Sequence, residues 1–118
     1  MYVDGFLIPV PQKNTAAYKR AAAKIAAIMR GHGALEYREC MADDVKPGKW
    51  TSFPAAVKLK KGEVVWFSYV VYKDRTHRNR VMAATMKDKR MAALMDPKNF
   101  PFDGKRLIFG GFKVQVAK

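Results

Sequence analysis

Acidic residues are scarce in this chain, cysteine is nearly absent and long apolar runs are missing, and each shortage closes off a class of protein. Ten Asp and Glu stand against 23 Lys and Arg, for a formal charge of +13 and a pI near 10.1. Such a charge attracts polyanions, acidic membrane surfaces or anionic ligands, and it bears on association and solubility rather than on fold. The single cysteine, Cys40, cannot close an intrachain disulfide and has no second thiol for a Cys-type zinc site, which suits a reducing cytoplasm. The longest apolar run, Val64 to Tyr72, is less than half of what a membrane-spanning helix needs, and the N-terminal residues lack a basic region followed by an apolar core. A cytoplasmic location and no membrane partner are therefore expected. The sequence has no Walker loop, no GxGxxG and no HExxH, so nucleotide hydrolysis, dinucleotide redox chemistry and zinc proteolysis lack support, and neither a metal nor another cofactor is expected.

What is present is a chain of 118 residues, 49% hydrophobic, with no low-complexity tract. That is enough for one hydrophobic core and too little for two, which makes residues 1–118 a single domain. Tyr2 to Val10 is rich in β-branched and aromatic residues and is stopped by Pro9 and Pro11, the pattern of a strand. Asn14 then offers an N-cap to an Ala-rich helix in which Tyr18, Ala22, Ile25 and Met29 recur at helical spacing, and Gly31 and Gly33 end it. From Ala34 to Val45, Leu35, Tyr37, Glu39 and Met41 alternate with Glu36, Arg38 and Cys40, a strand with one polar side. A long connection through Pro47, Gly48 and Pro54 leads to Val64–Tyr72, the strongest strand signal, apolar on both sides: Trp66, Val70 and Tyr72 share one, and Val65, Phe67, Tyr69 and Val71 the other. Asp74 or Thr76 caps a second helix with a stripe of Val81, Met82, Thr85 and Met86, a short helical stretch follows at Met91 to Met95, and Lys105 to Val116 makes a last strand. Gly110 and Gly111 within it predict a bulge or a close backbone approach.

The order βαββαβ defines an α+β, ferredoxin-like fold: a four-stranded antiparallel sheet with two helices on one face. Helices on one face leave the other bare, and Trp66, Val70 and the outward sets of the first and last strands are expected there. Several apolar side chains left in water forgo several kcal/mol at about 25 cal/mol per Å². A two-fold homodimer closed through the bare faces is the simplest solution.

Five groups of residues carry a resemblance along the whole chain: YVDGF (Tyr2–Phe6) with PVP (Pro9–Pro11), HGALEYREC (His32–Cys40), DDVKPGK with TSFP (Asp43–Pro54), MDP (Met95–Pro97), and PFDGKR with GGF (Pro101–Phe112). On these the sequence resembles the YbaA-like family of bacterial proteins of unknown function. The resemblance implies a dimeric α/β barrel, in a superfamily that also holds cofactor-independent monooxygenases, haem-degrading enzymes and isomerases. It implies no established activity.

Two residues are candidates for catalysis. His32, at the end of the first helix, either acts in catalysis or serves the negative end of the helix dipole. Glu39 shares a side with Leu35 and Tyr37, where burial would raise its pKa toward use as a general base, or where it pairs with Arg38, Arg106 or a helix lysine. His77, among Arg75, Arg78 and Arg80, reads as part of a solvated face, and Cys40 as a small buried hydrophobe. Candidate ligand contacts are Thr51 and Ser52 in a loop beside Trp50 and Phe53, Trp66 on the third strand, and Asp103, Lys105 and Arg106 at the turn before the last strand.

Three functions fit these residues. The first is a small-molecule enzyme or binding protein. Its pocket, between sheet and helices, would be lined by Trp66, Tyr69, Phe109 and Phe112 and would take a small, possibly anionic molecule. The second is an RNA or polyanion binder acting through the basic surface, although the third strand lacks the basic-aromatic signature of RNA-recognition modules. The third is a non-enzymatic carrier or assembly module.

Overall fold

The computed structural model describes residues 1–118, the side chain of Asn99 excepted. Strand β1 (Tyr2–Pro11) runs through the middle of an antiparallel sheet. It pairs along its whole length with β3 (Glu63–Tyr72), from Tyr2 opposite Tyr72 to Pro11 opposite Glu63. Its other edge pairs with β4 (Ile108–Lys113), from Tyr2 opposite Lys113 to Leu7 opposite Ile108. Strand β2 (Glu36–Met41) lies on the outer edge of β3, giving the order β2-β3-β1-β4. The two central strands have neighbours on both edges, and their sequences are accordingly the most apolar.

Helices α1 (Thr15–Gly31), α3 (Arg75–Lys87) and α4 (Lys89–Leu94) contact one another, and α1 and α3 pack against the strands. The short helix α2 (Phe53–Ala56) belongs to the long β2–β3 connection. On α1, Tyr18, Ala22 and Met29 form the buried stripe that the helical spacing predicts. They meet Ile8, Val10 and Trp66 at one end of the sheet, and Val70, Tyr72 and Val81 at the other. Asp74 caps α3 by accepting from the backbone N–H of His77 at 2.7 Å. Asn14 sits at the cap position of α1 but donates its side-chain amide to the Pro101 carbonyl at 2.9 Å instead, tying the helix start to the segment before β4. Gly33, at φ +114°, turns the chain out of α1 through a conformation that side chains resist.

Several expectations are corrected by tertiary contacts. Trp66 and Val70 were expected on the bare face, yet they are 4% and 1% exposed. Register places Trp66 beside Ile8 and Val70 beside Asp4, on the side that α1 and α3 cover. The bare side instead carries Phe67, Tyr69 and Val71 of β3 with Val3, Leu7, Ile108 and Phe112 from the neighbouring strands. Tyr69 and Phe112 thus lie on the opposite side of the sheet from Trp66 and Phe109, and the four cannot line one pocket. His77 is buried rather than solvated: its Nδ1 accepts from the Lys73 N–H at 3.0 Å and its ring stands edge-on to Tyr72. Met86 is exposed, and so is Cys40, which faces the bare side opposite Phe67 on an edge strand.

The last strand is shorter than expected because Lys105 and Arg106 belong to a 3₁₀ turn, Gly104–Arg106, capped by Asp103. The glycines inside β4 make no bulge: Gly110 pairs with Gly5 and Gly111 with Asp4 in continuous register. Gly111 is a close approach, since a Cβ there would collide with the Tyr2 phenol. Among the described residues, no helix is long and apolar enough to cross a membrane.

Candidate functional site

Beneath the helices, ionisable groups run across the sheet in two centres. Because β2 alternates, Tyr37 and Glu39 both turn toward α1, and the Glu39 carboxylate is gripped from two elements. Tyr18 of α1 donates its hydroxyl to Oε1 at 2.7 Å, and Tyr37 donates to Oε2 at 2.7 Å. Burial raises the Glu39 pKa above the usual glutamate range, and the two phenols pull it partly back. Burial and the adjacent Glu39 charge push both tyrosines far above their ordinary value, so they remain donors. The Tyr18 ring lies 4.7 Å from that of Trp66, whose buried indole N–H has no partner.

The second centre is Asp4, wholly buried on the inward side of β1. Its Oδ1 accepts from Arg78 of α3 at 3.0 Å, and the guanidinium lies 5.0 Å over the Tyr2 ring. Burial raises the Asp4 pKa against the pull of Arg78, and it raises that of Tyr72 next to it. Asp4 Oδ2, the Tyr72 hydroxyl and Arg78 Nε are buried without partners, a concentration of unmet hydrogen-bonding capacity.

On the bare side, the β2–β3 connection folds back against the sheet. Phe53 of α2 meets Phe67 edge-on at 6.4 Å, and Val65 beneath is 5% exposed. Between them lies an apolar cavity of about 160 Å³ lined by Leu7, Cys40, Met41, Val45, Phe53, Val65 and Phe67, with Ala42 and Asp43 completing it. Arg38 is the one cation that the strands place on this side, and it pairs with Glu36 at 3.0 Å. Among the described residues no cluster of His, Cys, Asp and Glu has the arrangement of a metal site.

The residues singled out from sequence divide among separate places. Glu39 lies in a polar centre, but its partners are phenols rather than the expected cations. His32 follows α1 and its Nε2 lies 2.8 Å from Asp88 Oδ2, joining the helix end to the cap of α4. Arg90 and His32 together hold the Asp88 pKa far below the carboxylate range. Ser52 caps α2 by accepting from the Ala55 N–H at 3.1 Å, while Thr51 and Trp50 are exposed. Trp66 is core. Asp103 accepts from the Lys105 N–H at 3.0 Å, and Lys105 is exposed. Arg106 grips both oxygens of Glu63, at 2.5 and 3.0 Å, together with the carbonyls of Val57 and Lys58. Asp4 in an apolar strand was a readable signal, since a buried carboxylate calls for a donor. Nothing local marked Arg78 or Tyr18 as the partners that α3 and α1 supply.

A four-stranded β2-β3-β1-β4 sheet with its helices on one side is a ferredoxin-like α+β protein. The family described as "Protein of unknown function (DUF1428)" matches residues 1–104, and the chain belongs to that family. It is similar to "Uncharacterized protein YbaA" of Escherichia coli (strain K12), 43% identical over 112 residues that cover 95% of this chain and 94% of the relative. The protein of the same description from Shigella flexneri matches to the same extent, again 43% over 112 residues.

Proposed function

We propose that this is a homodimeric binding protein: two copies meet through their bare sheet faces and enclose the cavity under the β2–β3 connection, which holds a small, mostly apolar molecule. The observation that carries this reading is the apolar cavity of about 160 Å³ on a face that α1, α3 and α4 leave uncovered. A dry cavity of about 150 Å³ takes a benzene-sized guest. The face is also large enough to pair. Four strands spaced about 4.8 Å apart and some 20–30 Å long present roughly 500 Å² before side-chain relief, the order of the ~800 Å² per partner of a stable interface. The reading moves the pocket away from the sheet-to-helix layer, where Val70, Tyr72 and Val81 are packed to 1%, 0% and 0% exposure. It gives Glu39 and His32 structural partners rather than catalytic roles.

A thermal-shift titration with benzene, phenol and indole tests the cavity. Each guest that fits should raise the midpoint of the native protein, since a ligand bound only to the folded state stabilises it. The shift should vanish in Val45→Trp, whose indole fills the cavity from the loop side. Equal shifts in both proteins, or none in the native one, would sink the proposal.

A further inference from the structure

A second cleft, of about 520 Å³, opens at the end of the sheet where β1 runs into α1 and the chain turns into β3, and Lys13, Lys60 and Lys61 line it. We propose that this cleft is a binding site for a diphosphate-bearing small molecule, separate from the sheet-face cavity and independent of it.

The argument begins with the rigidity of the lysine-bearing loop. Lys58 adopts φ +49°, a left-handed conformation that non-glycine residues rarely take and that marks backbone held in place by its surroundings. Here Arg106 does the holding, by donating to the carbonyls of Val57 and Lys58 while it grips Glu63. Glu63 in turn accepts from the Lys60 N–H at 2.7 Å, and the Gln12 N–H donates to the Gly62 carbonyl at 2.8 Å, joining the two sides of the cleft. Arg106 is therefore a positioning residue: its charge is spent on Glu63, and its hydrogen bonds fix the segment that carries the lysines.

Charge then selects the ligand. Glu63 is the acidic side chain lining the cleft, and its bidentate pair with Arg106 cancels it and holds its pKa below the usual range. Lys13, Lys60 and Lys61 are exposed, and among the described residues none of them pairs with a carboxylate. Three lysines lining one cleft, none of them held in a salt bridge among the described residues, suit a diphosphate, which carries several negative charges and strong acceptor oxygens at neutral pH. Amines with three donors each suit phosphoryl oxygens approached from several directions.

Titration calorimetry of the whole protein with inorganic pyrophosphate at low salt tests this. One saturable site per chain is expected. Lys60→Gln combined with Lys61→Gln should weaken it about tenfold or more, whereas Lys19→Gln with Lys24→Gln, an equal loss of charge on the exposed side of α1, should change it by no more than about twofold. Both pairs alter exposed side chains, so folding is retained in each. A single-stranded oligonucleotide run in parallel separates the sources of phosphate. The absence of saturable pyrophosphate binding at millimolar concentration would overturn the proposal. So would equal weakening by the two pairs, or a loss confined to the oligonucleotide.

Discussion

At the residue scale, Glu39 is the group whose environment departs furthest from its sequence appearance. Because burial lifts its pKa, the folded chain holds the Glu39 proton more tightly than the unfolded chain does. The stability from the neutral carboxyl is then complete below the unfolded value of about 4.3 and is lost as pH rises through the higher folded value. Glu39→Gln removes this titration, so its thermal midpoint should fall less steeply than that of the native protein from about pH 4.3 upward. Asp4, raised for the same reason, leaves a residual slope of the same sign. Parallel curves for the two proteins would show that Glu39 ionises as it does in water. The inward placement of Glu39 could be read from the side that it shares with Tyr37 on an alternating strand. Its second phenol could not, because Tyr18 is 21 residues away in sequence and arrives only when α1 docks.

At the scale of elements, the Asp4–Arg78 pair joins a central strand to α3, with Asp4 fully buried and the Arg78 side chain 15% exposed. Removing one partner of a buried pair strands the other charge, at a cost of about 3–5 kcal/mol. Arg78→Met should therefore lower the unfolding free energy by that amount in urea titrations, and adding Asp4→Leu should restore part of it. A loss under about 1 kcal/mol, as for an exposed pair, would mean that the pair contributes little. The helical periods and the Asp74 cap were legible because they depend on neighbours within a few residues. Arg78 read as a polar-face residue because the apolar stripe of α3 is short and the carboxylate it meets lies 74 residues earlier. The segment before β4 misled for a similar reason. Lys105 and Arg106 continue an apparent strand in sequence, but the Asp103 cap and the grip of Arg106 on Glu63 hold them in a turn.

For the whole molecule, the sheet leaves Phe67, Ile108 and Phe112 at 45%, 42% and 63% exposure on one face. Fully burying side chains of this size contributes about 1.5–3 kcal/mol each, which is the driving force on which the proposed dimer would draw. Light scattering should give twice the chain mass for the native protein and the chain mass for Phe112→Asp, whose charge would be buried at the contact. A native monomer across the micromolar range would remove the dimer from the proposal. The βαββαβ order and the existence of an uncovered apolar face follow from sequence alone, because they rest on local periodicity, on turn residues and on a third strand apolar on both sides; the family follows from a resemblance carried by motifs such as YVDGF and HGALEYREC. Which face the helices take was decided by tertiary structure. Alternation says only that Trp66 and Val70 share a side, whereas the packing of Tyr18, Ala22 and Met29 of α1 and Val81 of α3 against that side buries them and leaves Phe67 and Phe112 to solvent. The pairing of charges was decided there too, since Arg78 and Arg106 find their carboxylates only across the finished fold, and among the described residues Lys13, Lys60 and Lys61 at the β1 and β3 ends are left outside any salt bridge.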